Sequence, residues 1–197
     1  MNAESPDTLF YHGTPVSSSW ELTGLLLRDF FYAADTAALS QSLTAMSNYF
    51  IQEQHVTIKE VNWREVEYDF NRLFVGPQAV LAAPYSSVYL DAETLLMGKS
   101  TQQVKELYQA LGIIIANENQ TPEDHISYEI EACLLLVKNN TANAHHDALC
   151  WFISEHLALW LPQFVEKIIN NAVTPSIKAA AMLLTNWFGE LKSRVLL

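Results

Sequence analysis

Apolar residues recur along most of the chain at intervals of three and four, the spacing that lines up one face of an α-helix. Ser17, Ser18 and Ser19 offer capping hydroxyls ahead of Trp20, Leu22, Leu25, Leu26 and Phe30, which predicts a first helix. Leu39, Leu43, Met46 and Phe50 form the stripe of a second, and Val61, Glu65, Tyr68 and Leu73 mark a third over residues 59–74. Ser100 is placed to cap a helix carrying Val104, Leu107, Tyr108 and Leu111, with Gly112 at its stop. Thr121-Pro122-Glu123-Asp124 reads as an N-cap, a proline at the first helical position and an acid three residues after the cap. Ile126, Ile130, Leu134 and Val137 follow on one face. Further helices are predicted over residues 143–159 and 162–171, and from Ser176 through Leu183, Leu184, Trp187 and Leu191. Gly112-Ile113-Ile114-Ile115-Ala116 is a lone β-branched run, and one strand makes no sheet. Residues 75–100, with Gly76-Pro77, Ala83-Pro84-Tyr85 and Gly98, form a long irregular piece of the kind that is often functional. The pattern predicts an all-α, single-domain helical bundle over residues 1–197, crossed by one extended central segment.

Composition adds a core and removes several classes. A chain of 197 residues is long enough to bury roughly 70% of its unfolded surface, and its 50% hydrophobic content excludes a disordered chain. There are 11 basic and 22 acidic residues, a net charge of −11. That sign opposes nucleic-acid binding, which needs cations on phosphates, and it attracts a basic partner; solubility alone accounts for it equally well. Cys133 and Cys150 have no metal-ligand spacing and read as small hydrophobes in a reducing compartment. The first fifteen residues hold no basic stretch followed by an apolar core, and no run approaches the ~20 apolar residues of a membrane span. A cytoplasmic protein without membrane insertion is expected.

The catalytic inventory is thin. His145-His146-Asp147 suggests a metal, but adjacent side chains on a helix point about 100° apart, so a solvated helix start is favoured. There is no Gly-x-x-x-x-Gly-Lys-Ser/Thr phosphate loop, no Gly-x-Gly-x-x-Gly and no Gly-x-Ser-x-Gly elbow. Gly98-Lys99-Ser100-Thr101 lacks the upstream glycine, since that position is Thr94, and reads as a helix entry. No catalytic group, metal site or cofactor is expected. Asp124-His125 is either an acid–base pair or a helix start; a helix start explains Asp124 through the dipole but leaves His125 without a reason. Phe70, Leu73 and Phe74, and later Trp151, Phe152, His156, Leu157 and Trp160, sit at helical spacing, where aromatic rings are more often core than binding surface. A groove for a guest peptide needs the same residue types.

Three stretches in order carry a family resemblance. They are Phe70-Asn71-Arg72-Leu73-Phe74-Val75-Gly76-Pro77 with Ala83-Pro84-Tyr85-Ser86-Ser87-Val88-Tyr89-Leu90-Asp91 and Gly98-Lys99-Ser100-Thr101; Thr121-Pro122-Glu123-Asp124-His125-Ile126; and the run from Glu155 to Phe164. Together they resemble the TorD/DmsD family of twin-arginine redox enzyme maturation chaperones, the DmsD branch more than the TorD branch. Phe70 and Tyr85 stand where tryptophan is common in that branch, and Thr121 stands where an acid is common.

The resemblance implies an all-helical fold, no turnover, and a partner: the twin-arginine signal peptide of a molybdenum-containing oxidoreductase subunit, of the dimethyl sulfoxide reductase type. The peptide is held until the cofactor is loaded and export follows. Such a ligand needs an apolar groove with acids near one end. On this reading Phe70, Leu73, Phe74, Pro84, Tyr85, Val88 and Tyr89 line the groove. Glu123 and Asp124 beside Pro122, with Asp91, meet the arginines; His125 ties the loop to the groove; His156 and Trp160 support the opposite wall. The alternatives are a general helical adaptor and, less favoured for want of a phosphate cradle, a nucleotide hydrolase.

Overall fold

The computed structural model describes residues 16–54, 62–77, 79–92, 96–115, 121–139 and 145–196. Helices α1 (Ser19–Phe31) and α2 (Thr36–Gln54) are followed by α3 (Trp63–Phe70), which runs on into a wider π-type turn over Asn71–Val75. A short α4 (Ser87–Leu90) lies within the irregular segment, and α5 (Lys99–Ala110) closes it. Then come α6 (Ile126–Asn139), α7 (His146–Trp151), a second π-type turn over Phe152–Leu157, α8 (Ala158–Asn171) and α9 (Pro175–Leu196). Among the described residues there is no strand; Ile113–Ile115 is irregular, its first N–H donating to Tyr108 O at 2.8 Å. Parts of two expected helices, residues 59–61 and 143–144, lie outside the described residues, as do residues 1–15.

The apolar stripes read from the sequence are the ones that pack. Leu27, Phe30, Ile126, Ile130, Leu134, Phe164, Ile168 and Leu184 are all at or near zero exposure in one contiguous cluster. Helix α1 sits at its centre, against α2, α6 and α9. Gly24 lets it do so: a Cβ there would lie 2.8 Å from Trp187 Nε1 and 2.9 Å from Leu134 Cδ2, closer than side chains tolerate. One turn earlier, Trp20 stacks on Trp187 with ring centroids 5.4 Å apart and donates its indole N–H to Trp187 O at 3.2 Å.

Three local expectations are corrected. Ser18 is indeed the N-cap of α1, accepting from the Glu21 N–H at 3.2 Å. Ser100, by contrast, lies inside α5, whose N-cap is Gly98. The capping acceptor comes from outside the helix: Asp91 takes the Ser100 N–H at 3.1 Å and the Ser100 hydroxyl at 2.6 Å. Likewise Thr121–Asp124 precede α6 without forming its first turn. Finally, Pro162 starts no helix; it lies inside α8, where burial of Trp160, Leu161, Phe164 and Ile168 holds the helix through the proline.

Candidate functional site

The irregular segment and the approach to α6 are clipped together. Ser86 N–H donates to Asp124 O at 3.1 Å and Ile126 N–H to Pro84 O at 2.9 Å, which makes Tyr85 and His125 an isolated antiparallel bridge. Their rings meet edge to face with centroids 5.0 Å apart. Beside this clip opens a groove of about 780 Å³. Phe31 and Tyr32 at the end of α1, with Ala33 and Ala34 after it, line it together with Phe70, Phe74 and Val75. Val80, Ala83, Pro84, Tyr85, Val88 and Leu96 of the irregular segment, with Thr121 and His125, complete the lining. Apart from Thr121 the described lining residues are apolar or aromatic, and none of them is a carboxylate.

Thus Phe70, Phe74, Pro84, Tyr85, Val88 and His125 converge on one concave surface. Leu73 does not: at zero exposure it belongs to the core beneath. Nor does Tyr89, whose ring lies 5.6 Å from that of Trp160 and beneath the Lys167 ammonium at 4.6 Å. Pro122, half-buried, serves the turn itself, its carbonyl accepting from the His125 N–H at 3.1 Å.

The three acids expected at the arginines are each engaged elsewhere. Asp124 is fully buried and accepts from the Ser87 N–H at 2.8 Å, so it serves the start of the α4 turn and not of its own helix. Glu123 forms an ion pair with Lys105 at 2.9 Å. Asp91 holds α5, as described above. The reason is common to all three: orphan N–H groups at helix starts and a neighbouring ammonium compete for carboxylates within reach.

His125 has the reason that the sequence left open. Its Nδ1 accepts the Ser127 N–H at 3.2 Å and lies 2.7 Å from the Ser127 hydroxyl, while its carbonyl takes the Tyr128 and Glu129 N–H groups. The imidazole is therefore the N-cap of α6, a role that requires an unprotonated Nδ1. Burial pushes its pKa down to about 3, so the ring stays neutral. Burial, then the Asp124 charge, raises the Tyr85 phenol above its ordinary value.

His156 and Trp160 stand behind the site, with exposures of 2% and 0%. Both bond one acid, Glu129: the His156 ring nitrogen at 2.7 Å and the Trp160 indole N–H at 3.0 Å. Burial opposes charge on both members of the pair; Glu129 nonetheless holds the His156 pKa above its ordinary value, and the Glu129 carboxyl is itself raised. Glu129 was legible in the sequence, since it falls three residues after Ile126 and four before Cys133, on the apolar stripe of α6. Ala33 and Ala34 left a weaker signal, a small pair following a bulky aromatic run.

An all-helical protein with an apolar trough beside a clipped Pro-Glu-Asp-His corner belongs to a recognisable class, and comparison with known proteins gives the same answer. The family model described as nitrate reductase delta subunit matches residues 33–166. The chain is 32% identical over 126 residues to the Tat proofreading chaperone DmsD of Salmonella typhi, covering 62% of this chain and 60% of that one. It is 35% identical over 126 residues to the chaperone protein TorD of Vibrio cholerae serotype O1, covering 60% and 57%. A crystal structure of an Archaeoglobus fulgidus protein provisionally assigned to redox enzyme maturation superposes with a TM-score of 0.61 over 92% of this chain and 99% of that one, at 18% identity, and shares the fold. The chain belongs to the nitrate reductase delta subunit family, that of TorD and DmsD. It spans about three-fifths of the length of the curated relatives it matches. No helix among the described residues is long and apolar enough to cross a membrane.

Proposed function

We propose that the chain is a cytoplasmic maturation chaperone, acting as one helical unit over residues 1–197, that binds the twin-arginine signal peptide of a molybdenum-containing oxidoreductase subunit and retains it until the cofactor is loaded. A dimethyl sulfoxide reductase-like subunit is the client class. The chain works by binding, without turnover. The observation that carries this reading is the largely apolar groove of about 780 Å³, to which the motifs that carry the family likeness contribute Phe70, Phe74, Pro84, Tyr85, Val88 and His125. The leader's apolar stretch, entering as a helix, buries its side chains against Phe74, Tyr85 and Val88. Tyr89, Leu73, Trp160 and the Glu129–His156 pair hold the wall from behind, and the neutral His125 cap fixes the corner. The names of the relatives and the net charge of −11 support a cationic guest.

Titration calorimetry with a synthetic twin-arginine leader tests it. Saturable binding that weakens as salt rises is expected. A leader with both arginines changed to lysine should bind less tightly, because lysine cannot make the bidentate contact. No heat with the arginine leader overturns the proposal, and equal affinity for both leaders favours a general adaptor.

A further inference from the structure

Among the described residues that line the groove there is no carboxylate, and Asp91, Glu123 and Asp124 are engaged by Ser100, Lys105 and Ser87. Carboxylates that could meet a cationic leader stand at the groove's border. A second cleft, of about 260 Å³, opens there and shares Ala33, Ala34 and Phe70 with the groove. It carries two carboxylates, Asp35 and Glu67. Asp35 is the N-cap of α2, its Oδ1 accepting the Ala38 N–H at 2.8 Å; Glu67 Oε1 accepts the Thr36 hydroxyl. Those bonds fix both side chains while leaving Asp35 Oδ2 and Glu67 Oε2 without a hydrogen bond, and neither acid is ion-paired among the described residues. Two oriented carboxylates joined to an apolar trough are complementary to adjacent guanidinium groups followed by an apolar stretch.

Resting on the chaperone reading above, we propose that Asp35 and Glu67 receive the leader's two arginines. This sets the direction of the bound peptide: its arginine end lies at the corner between α1 and α2, and its apolar stretch passes over Phe74 toward Tyr85 and Val88. The site at the corner is distinct from the Pro122–His125 turn, where Glu123 is paired with Lys105 and Asp124, at zero exposure, is shut away from a guest.

Fluorescence anisotropy with a labelled twin-arginine leader, compared across the unmodified chain, the double variant Asp35→Asn/Glu67→Gln and the exposed-surface control Glu106→Gln, gives the first arm. The double variant should lose about tenfold or more in affinity, the scale of one charge-assisted contact, with Glu106→Gln unchanged. Asparagine also caps helices, so α2 keeps its start. The second arm uses the unmodified chain and a leader with a photo-cross-linking residue directly before the arginines; the adduct should map to residues 33–36 or 67–71. Equal affinity in the double variant, or an adduct confined to residues 84–88 or 121–125, overturns this inference and leaves the chaperone reading standing. Failure of the unmodified chain to bind the leader at all overturns the chaperone reading itself.

Discussion

Individual carboxylates in this protein are committed by backbone geometry before any ligand arrives. Asp91 shows how closely. A Cβ on Gly98 would fall 2.0 Å from Asp91 Oδ2, so the carboxylate reaches the start of α5 only because residue 98 is bare. The backbone at Gly98, φ −80°, suits any residue, so Gly98→Ala introduces no dihedral strain and acts through that one contact. It should cost about 1 kcal/mol, the value of a lost cap, measured by urea unfolding. In an Asp91→Ala background the same change should cost little, because the cap is already gone; full additivity would contradict the assignment. At this scale the placement of Phe70, Phe74 and Tyr85 was more legible in the sequence than that of Tyr89 or of the acids. Phe70, Phe74, Tyr85 and Val88 reach the groove because motif spacing carries them there. Whether Asp124 faces a ligand or the Ser87 N–H depends on a loop-to-loop approach across 37 positions of sequence, which no local pattern encodes.

Between elements, Asp69 makes the densest junction. Asp69, the penultimate residue of α3, is fully buried and reaches the turn between α8 and α9: its Oδ2 accepts the Val173 N–H at 2.9 Å, the Thr174 N–H at 2.8 Å and the Thr174 hydroxyl at 2.8 Å. Its Oδ1 takes Arg72 at 2.8 Å, and Arg72 continues to Asn171 O at 2.5 Å. Burial works against the charge, but Arg72 and these donors outweigh it and hold the carboxyl below its ordinary value. Asp69→Asn places an amide N–H among donors in either orientation and should destabilise the chain by about 3 kcal/mol, visible as a lower Tm. A change within a few tenths would mean the junction is not needed. The helices themselves were legible because their apolar faces are continuous. The widened turns at Asn71–Val75 and Phe152–Leu157 were not, since one added residue shifts the phase of a stripe without breaking it. The first lies within a motif stretch and the second runs into one, and the first carries Phe74 and Val75, which line the groove.

At the level of the whole molecule, the buried titratable groups set how stability varies with pH. Burial lifts the Glu131 carboxyl to about 7, with Arg28, 3.3 Å away, pulling the other way. His156 is also raised. A raised pKa means that the folded state holds the proton more tightly. The His156 contribution is complete below its unfolded value and lost as pH climbs through the folded one; the Glu131 contribution grows as pH falls from about 7 toward its unfolded value. His125 has the opposite sign: its pKa of about 3 in the fold means that stability is present above the unfolded histidine value and is lost as pH falls from there toward 3. Self-repulsion at a net charge of −11 adds to the alkaline penalty. Tm should therefore rise as pH is lowered from about 8.5 to about 6.5, change little down to about 4.5 while the Glu131 gain offsets the His125 loss, and then fall as Asp69 also begins to protonate. Glu131→Gln should remove the gain between about pH 7 and 4.5 and so turn the level stretch into a fall, and His125→Asn, which keeps a capping side chain, should shift the fall to lower pH. A thermal-melt series with its maximum at or above pH 8 would show that these buried groups do not carry the charge states their surroundings impose.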